Sequence, residues 1–342
     1  METSIAGCVS SPADRGDITS LLCSTLGIDE NAMTVAADFQ QWKYWEPHPF
    51  TSGSRSHTLS KQGAIVAHAC AWPIRLCTPT GSLRAFHLVD WAAMPGIPGA
   101  GMRVLRQCCS EMSAAFCVGG SAMTRKILPA FGFKPYNPLT YLRRPLRPFQ
   151  LALRESPKDW KMPARVLRDL YWDLYPSHTV PKGWRVSPVD PDQIPESLWP
   201  ASSGGAAVSQ RSPQVLSHVM TCPAIRRSAC ALVSKGNSSA VAYFLLVQVG
   251  DQVRLADYGP AGLDEETSRI VGLGAQALAL SMFPDATSVM AATSEPHSRS
   301  GFLRSGFRLV REEPIKVLKL NNSLSPISQF RLTLIDGDAL CL

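Results

Sequence analysis

The 342-residue sequence is poor in the features that mark several protein classes. No run approaches the ~18 consecutive apolar residues of a membrane-spanning helix, so none is expected. The opening Met1-Glu2-Thr3-Ser4-Ile5-Ala6-Gly7-Cys8 has neither a basic n-region nor an apolar h-region, so a secretory signal is not expected. Ten cysteines are too sparse for a disulfide scaffold in a chain this long. Cys108 and Cys109 are adjacent, but there is no C-x-x-C pair, and the seven histidines form no H-E-x-x-H, so no metal site is expected. This cysteine usage fits a reducing cytoplasm. Charged residues are only 18% of the chain, and the net charge is +7. Arg143, Arg144 and Arg147 cluster without interleaved aromatics, which reads as a linker and makes a nucleic-acid partner an unexpected one.

What is present is ordinary globular material. Apolar residues make up 45% and aromatics 8%, enough for a sizeable core, and the mean hydropathy of −0.01 argues against wholesale disorder. At roughly 100–200 residues per domain, two domains are expected. Residues 1–35 read as a loose leader with a short helix near Ile18–Leu26. Ala64–Trp72 and Leu83–Trp91 read as strands, the first stopped by Pro73. Met102, Leu105, Cys109, Met112 and Phe116 recur at helical steps, predicting a helix over 102–116. Two prolines among three arginines in Arg143–Pro148 should end any helix or central strand, which puts the domain boundary there: 36–148 and 149–342. Beyond it, a helix is expected from Ala164 to Tyr175, strands at 229–233, 240–249 and 253–258, and a helix over Glu265–Met282 with Asp264 at its N-cap.

The two halves echo one another. His87-Leu88-Val89-Asp90-Trp91 is matched by Arg254-Leu255-Ala256-Asp257-Tyr258, Ile65-Val66-Ala67-His68 by Ala240-Val241-Ala242-Tyr243, and Phe131-Gly132-Phe133 by Ser305-Gly306-Phe307. Three echoes in one order, each on the same kind of element, indicate a duplicated domain. A Gly/Pro loop, Met94–Gly101, separates the first Asp strand from the helix. Glycines feeding a helix N-terminus expose several N–H donors to one point, as a pyrophosphate requires. Gly96, Gly99 and Gly101 before Met102 meet that specification, with Arg103 and Arg106 nearby. The second half instead puts Asp264, Glu265 and Glu266 at its helix start, which repels an anion.

These residues resemble the GCN5-related N-acetyltransferase fold over about 36–145 and 205–340. Trp42-Lys43-Tyr44 is similar to the W-x-Y opening of bacterial members with two such domains. Asp90-Trp91-Ala92-Ala93-Met94-Pro95 is similar to the D-x-x-V-x-P strand, Gly99-Ala100-Gly101 with Val104-Leu105 to the acyl-CoA loop, and Gly132-Phe133 to the closing GF. The tail Phe330–Asp338 resembles transferases of bacterial polysaccharide loci. The sequence departs from the family loop at Pro98, where Arg or Gln is usual, and at Arg103, where a small residue is usual.

The resemblance implies an α/β (α+β) fold with two tandem acyl-CoA N-acyltransferase-like domains, each a mixed, mostly antiparallel sheet flanked by helices. It implies acetyl-CoA or another acyl-CoA as co-substrate, held by Ala92, Ala93, Met94, Gly96, Gly99, Ala100, Gly101, Met102 and Arg103, and a small-molecule amine as acceptor. In the family the thioester carbonyl is polarised by backbone N–H at the position of Ala92–Met94. Leu128 and Phe302 stand where the family's leaving-group Tyr would be, leaving Tyr136 and Tyr141 as candidates for that acid. Asp90 is a candidate general base, since burial among apolar neighbours should raise its pKa; its echo in Asp257 equally fits a shared structural role. His68 and His87, on strands, read as satisfied partners rather than bases, Cys108 and Cys109 as packing residues, and Glu111 as a solvated helix face. A catalytically degenerate binding module and an aminoacyl- or peptidyl-type transferase remain open beside the acyltransferase reading.

Overall fold

The computed structural model describes residues 5–110, 112–147, 150–151, 160–174, 179–202, 205–320, 327–337 and 340. Glu111, Tyr175 and the expected boundary at 148/149 lie outside these. One sheet of fourteen strands connects both halves. The N-terminal segment is not a loose leader. Its strand β1 (Ile5–Val9) pairs antiparallel with β2 (Ser56–Lys61), and helix α1 (Arg15–Leu26) buries Ile18, Leu21 and Leu22 before Gly27 ends it in the left-handed region. A short helix α2 (Ala37–Gln40) runs into a π-helical turn, Gln41–Trp45, that buries Trp42, Lys43, Tyr44 and Trp45.

Strand β3 (Ala64–Thr78) continues through Pro73 rather than stopping there, in antiparallel register with β4 (Gly81–Ala93). Helix α3 (Ala100–Cys108) is shorter than its periodicity predicts. Cys108 is its last residue, and Phe116 belongs to the next strand, β5 (Ala114–Val118). The step of four from Met112 to Phe116 therefore spans a turn into a strand, where it coincides with the helical stripe without being part of it. Helix α4 (Ala122–Ile127) follows, and then strand β6 (Lys134–Pro145).

Strand β6 corrects the reading of Arg143–Pro145 as an interruption. Arg143, Arg144 and Pro145 are its last residues, in the interior of the sheet. Pro145 is tolerated because it sits at the strand end, and the buried Arg144 side chain donates to the Gly306 carbonyl. Beyond helix α5 (Met162–Leu174) come β7 (Trp184–Val189), β8 (Ala206–Ser209), α6 (Pro213–Met220), and the meander β9 (Ile225–Lys235), β10 (Ala240–Val249) and β11 (Gln252–Gly259). Helix α7 (Glu265–Met282) has the expected bounds, with Asp264 at its N-cap accepting from the Thr267 N–H at 2.6 Å. Strand β12 (Ser288–Thr293), helix α8 (Pro296–Arg304), strand β13 (Arg308–Lys319) and strand β14 (Gln329–Arg331) complete the described chain.

The strand order β1-β2-β3-β4-β5-β13-β6-β12-β11-β10-β9-β7 contains one pattern twice. In the first half β4 pairs parallel with β5, and β5 pairs antiparallel with β13. In the second half β11 pairs parallel with β12, and β12 pairs antiparallel with β6. The strand that follows the Gly-Phe turn therefore crosses over in each case: β6 sits beside the second half's β12, and β13 beside the first half's β5. The two crossed strands also pair with each other at the centre.

Strand alternation divides the core. Along β10, Tyr243, Leu245 and Val247 point into a core that also holds Trp42, Trp72 and Phe116 of the first half, while Phe244 and Leu246 point to helices α7 and α8. A third cluster packs Val104 and Leu105 of α3 on Val66, Ala69 and Phe86. The tail closes the shared face: β14 pairs parallel with β8, which pairs antiparallel with the end of β3, and Phe330 meets Phe116 edge-on at 5.0 Å.

Arg211 fastens that tail. Its buried guanidinium reaches Asp257 at 3.1 Å and Asp336 at 2.8 Å, and donates to Thr333 at 3.0 Å; Tyr243 donates its hydroxyl to Asp257 at 2.7 Å. Removing one partner strands a buried charge, a loss of about 3–5 kcal/mol. Asp257→Ala should lower unfolding free energy by about that much in urea denaturation; a loss below 1 kcal/mol would show the network to be solvent-screened.

Candidate functional site

The site begins where two parallel strands separate. Pairing of β4 with β5 covers only Ala85–His87 against Ala114–Phe116. Beyond it, β4 is deflected by a bulge: Val89 still faces Cys70, but Ala92 faces His68, so one strand carries an extra residue. Asp90 sits in the bulge at φ 49°, a conformation unusual for a residue with a Cβ. The strands part and leave a cavity of about 370 Å³.

Several interactions hold the bulge. His68, fully buried, lies 2.9 Å by Nδ1 from the Asp90 carbonyl and 2.9 Å by Nε2 from Ser56 Oγ. A carbonyl can only accept, so Nδ1 carries the proton and Nε2 accepts from Ser56, which in turn accepts from Ser10. The Asp90 carboxylate receives Lys43 Nζ at 2.7 Å and the Tyr44 hydroxyl at 2.6 Å. Lys43 and Tyr44 come from the π-helical turn, whose carbonyls at Trp42 and Lys43, with that of Glu46 just beyond it, are bound by the buried Arg55 guanidinium. Burial alone would raise the Asp90 pKa, as its sequence position predicts. The Lys43 ammonium and the hydrogen bonds of Lys43 and Tyr44 outweigh burial and hold the carboxyl below its ordinary value. Asp90 is thus a fixed anion, poorly suited to taking up a proton. Asp257 has the same companions, a buried cation (Arg211) and a tyrosine (Tyr243), and also lies at a register shift, between Leu245 and Leu246 of its partner strand.

The other predicted residues separate into those at the cavity and those away from it. Tyr141 lines it, buried, with the Arg311 guanidinium 4.5 Å over its ring. Tyr136 does not; it packs edge-on against Phe330 at 5.0 Å. Met94 spends its N–H on the Val66 carbonyl at 2.8 Å, so it is not the free donor expected there. Because backbone groups alternate along a strand, the Ala93 N–H points the opposite way from that of Met94, to the open side of β4. Ala92 pairs toward His68 on β3.

Gly96 and Gly99 have φ of 84° and 76°, so the loop uses the freedom of glycine at both. Gly99 is the N-cap of α3, and no side chain caps that end. The Ala100 N–H goes to the Ile97 carbonyl and that of Arg103 to Gly99. The N–H groups of Gly101 and Met102 lie in the first turn, where a helix offers no internal acceptor. Trp91 connects loop and cavity: it lines the cavity and donates its indole N–H to the Gly101 carbonyl at 2.9 Å. Arg103 and Arg106 are exposed on α3. At the equivalent place in the second half, Asp264 caps α7, and Glu295 accepts the Gly262 N–H at 2.7 Å while pairing with Arg331 at 2.8 Å.

Sequence reasoning missed the walls brought in from afar. Arg311 and Glu313 reach the cavity from the crossed strand β13, facing Tyr141 and Leu139 in register, and Arg125 comes from α4. Thr333, Asp336 and Gly337 come from the tail. His87 fixes that tail: its Nδ1 lies 3.0 Å from the Asp336 carbonyl, and Nε2 accepts the Val118 N–H at 3.2 Å. A Cβ on Gly337 would stand 2.1 Å from His87 Nδ1, so only glycine fits there. The alternation of Ile315-Lys316-Val317 signals a strand there but says nothing about which half it joins. Among the described residues no group of His, Cys, Asp and Glu is placed to hold a metal ion, and no helix is long and apolar enough to cross a membrane.

A scan against family models finds no match, and neither does a search of curated protein sequences. Solved structures do match in fold. A GCN5-related N-acetyltransferase from Anabaena variabilis superposes with a TM-score of 0.59 at 8% identity, over 95% of this chain and 75% of that one. Saccharomyces cerevisiae N-myristoyltransferase, solved with myristoyl-CoA and inhibitors, gives 0.59 at 13%, over 93% and 81%. A putative acetyltransferase from Pyrococcus horikoshii gives 0.51 at 12%, over 93% and 90%. The chain has the mixed α/β fold of these acyltransferases, a curled sheet flanked by helices, in a length that fits two domains.

The histidine at the bulge has a pH signature. Burial lowers the His68 pKa from 6.5 to about 4. Between these values the unfolded chain binds a proton that the folded chain excludes, so stability is full above pH 6.5 and is lost as pH falls towards 4. The contribution is on the order of 3 kcal/mol. His48 and His218, lowered chiefly by burial to about 2 and about 4, act in the same direction. Denaturation between pH 7 and 4 should show His68→Asn with a shallower fall than wild type; equal slopes would mean His68 titrates normally.

Proposed function

We propose that the protein is an acyl-CoA-dependent N-acyltransferase, built from two diverged copies of one domain, with coenzyme A bound by the first copy only. The observation that carries this reading is the contrast between two equivalent helix starts. That of α3 is uncapped, glycine-lined and linked by Trp91 to a 370 Å³ cavity; that of α7 is covered by the chain's own carboxylates, Asp264 and Glu295. The open N–H groups of Gly101 and Met102 suit a pyrophosphate, with Arg103 and Arg106 as nearby cations. The open-side Ala93 N–H suits the carbonyl of a thioester entering the separation of β4 and β5, where it would stabilise the developing oxyanion.

The chemistry asked of the site is modest. An amine attacks the thioester carbon, the C–N bond forms, the C–S bond breaks and the thiolate leaves on coenzyme A, while the amine's protons pass to a base and to the thiolate. Tyr141 is the candidate acid for the thiolate by its place in the cavity. Asp90 is a positioning residue: it sets the bulge that opens the strands. The acceptor class is a small-molecule amine, with an amino sugar of a polysaccharide as one candidate, and the cytoplasm is the compartment that supplies acyl-CoA.

Calorimetry with acetyl-CoA and longer acyl-CoAs tests this. Wild type should bind, and Met102→Glu, which copies the acidic first turn of α7, should bind about tenfold more weakly. Equal binding by both would put the site elsewhere. Absence of heat with every acyl-CoA would overturn the enzyme reading and favour a binding module without the co-substrate.

A further inference from the structure

We infer that Glu313 is the acceptor-recognition residue and that the acceptor enters as a cation, its protonated primary amine docking on this carboxylate and losing one proton to water before the nitrogen attacks. The inference rests on the acyltransferase reading and supplies what that reading leaves open, the group that selects the second substrate.

The argument is one of elimination among the carboxylates in the cavity. Three of them line it: Asp90, Asp336 and Glu313. Asp90 is saturated by Lys43 at 2.7 Å and Tyr44 at 2.6 Å. Asp336 is saturated by Arg211 at 2.8 Å and by the Thr333 N–H at 2.8 Å. In both, the counter-ion is itself buried and cannot be displaced without stranding a charge. Glu313 differs. Its side chain is 16% exposed, and its ion-pair partner is Arg125 at 3.6 Å, on a side chain 52% exposed. A long, exposed pair of that kind contributes little. An incoming ammonium can therefore take the place of Arg125, which turns to solvent at small cost.

Position supports the same assignment. In the β13–β6 register Glu313 faces Leu139 and Arg311 faces Tyr141, all four on the cavity. Glu312, between them, points to the other face, where Thr140 donates to it at 3.1 Å and Arg299 pairs with it at 3.0 Å. The chain thus contains its own control: two adjacent glutamates on one strand, with only one of them in the cavity. Neither histidine near the site competes for an ammonium. His87 is engaged at both ring nitrogens, and so is His68.

The test needs no turnover. Binding of putrescine, spermidine, glucosamine and a lysine tripeptide amide is measured by calorimetry, each beside its fully N-acetylated, uncharged form. At least one amine should bind wild type, with its acetylated form weaker by about tenfold or more, the range for a lost charged hydrogen bond. Glu313→Gln should lose that preference, and Glu312→Gln should keep it. Thermal unfolding confirms that both variants are folded, and acyl-CoA binding, measured in parallel, separates the two readings. Amine selectivity abolished by Glu313→Gln, together with no acyl-CoA binding by wild type, would refute the acyltransferase reading and leave the ammonium site standing. Amines bound no better than their acetylated forms, or selectively bound by Glu313→Gln as by wild type, would overturn the assignment of Glu313.

Discussion

The buried pair Lys43–Asp90 is the constraint on which the site depends. An aspartate in the left-handed region in mid-strand costs free energy, and it persists only because its surroundings over-determine it. Lys43 and Tyr44 hold its carboxylate, His68 holds its carbonyl, and Arg55 holds the turn that presents Lys43 and Tyr44. The bulge bends β4 away from β5, and the cavity is the space left between them.

The second half repeats the device for a different end. Arg211 and Tyr243 hold Asp257 beside a register shift, yet here Arg211 also binds Asp336 and Thr333, so the cation fastens the tail. The same tail runs on to His87 and walls the first half's cavity. One half thus carries the opening and the other supplies part of its enclosure, and the two helix starts differ along the same division. Glycine stands at the start of α3, where no side chain caps the helix, and carboxylates accept the chain's own N–H groups at the start of α7.

Much of the fold was legible because it is local. The Asp strands, Asp264 as a cap, the bounds of α7 and the Gly-Phe turns all follow from neighbours within a few residues. The loop glycines were equally visible, because positive φ has few sequence solutions. What could not be read was long-range. Arg143-Arg144-Pro145 looks like an interruption, and it is the end of a central strand because its partners, Ser288–Met290 and Gly306, come from the other half. The direction of the Asp90 pKa was misjudged for the same reason: the sequence shows the apolar neighbours, while the decisive ammonium lies 47 positions upstream. Glu313 was invisible because nothing in Arg311-Glu312-Glu313 tells which of two glutamates faces the cavity; only the register with β6 does.

The crossed strands also set an order of events at synthesis. Val118 pairs with Ile315, so β5 leaves the ribosome long before its neighbour exists. Until β13 arrives, the first half carries a bare edge of apolar residues, Ala114-Ala115-Phe116-Cys117, the kind of surface that recruits other chains. The nascent protein therefore passes through a window of vulnerability whose length is the translation time of the whole second half. Slow codons or a stalled ribosome between β6 and β13 would lengthen that window, which makes the tempo of translation, and the chaperones that shield an open edge, part of what this architecture requires.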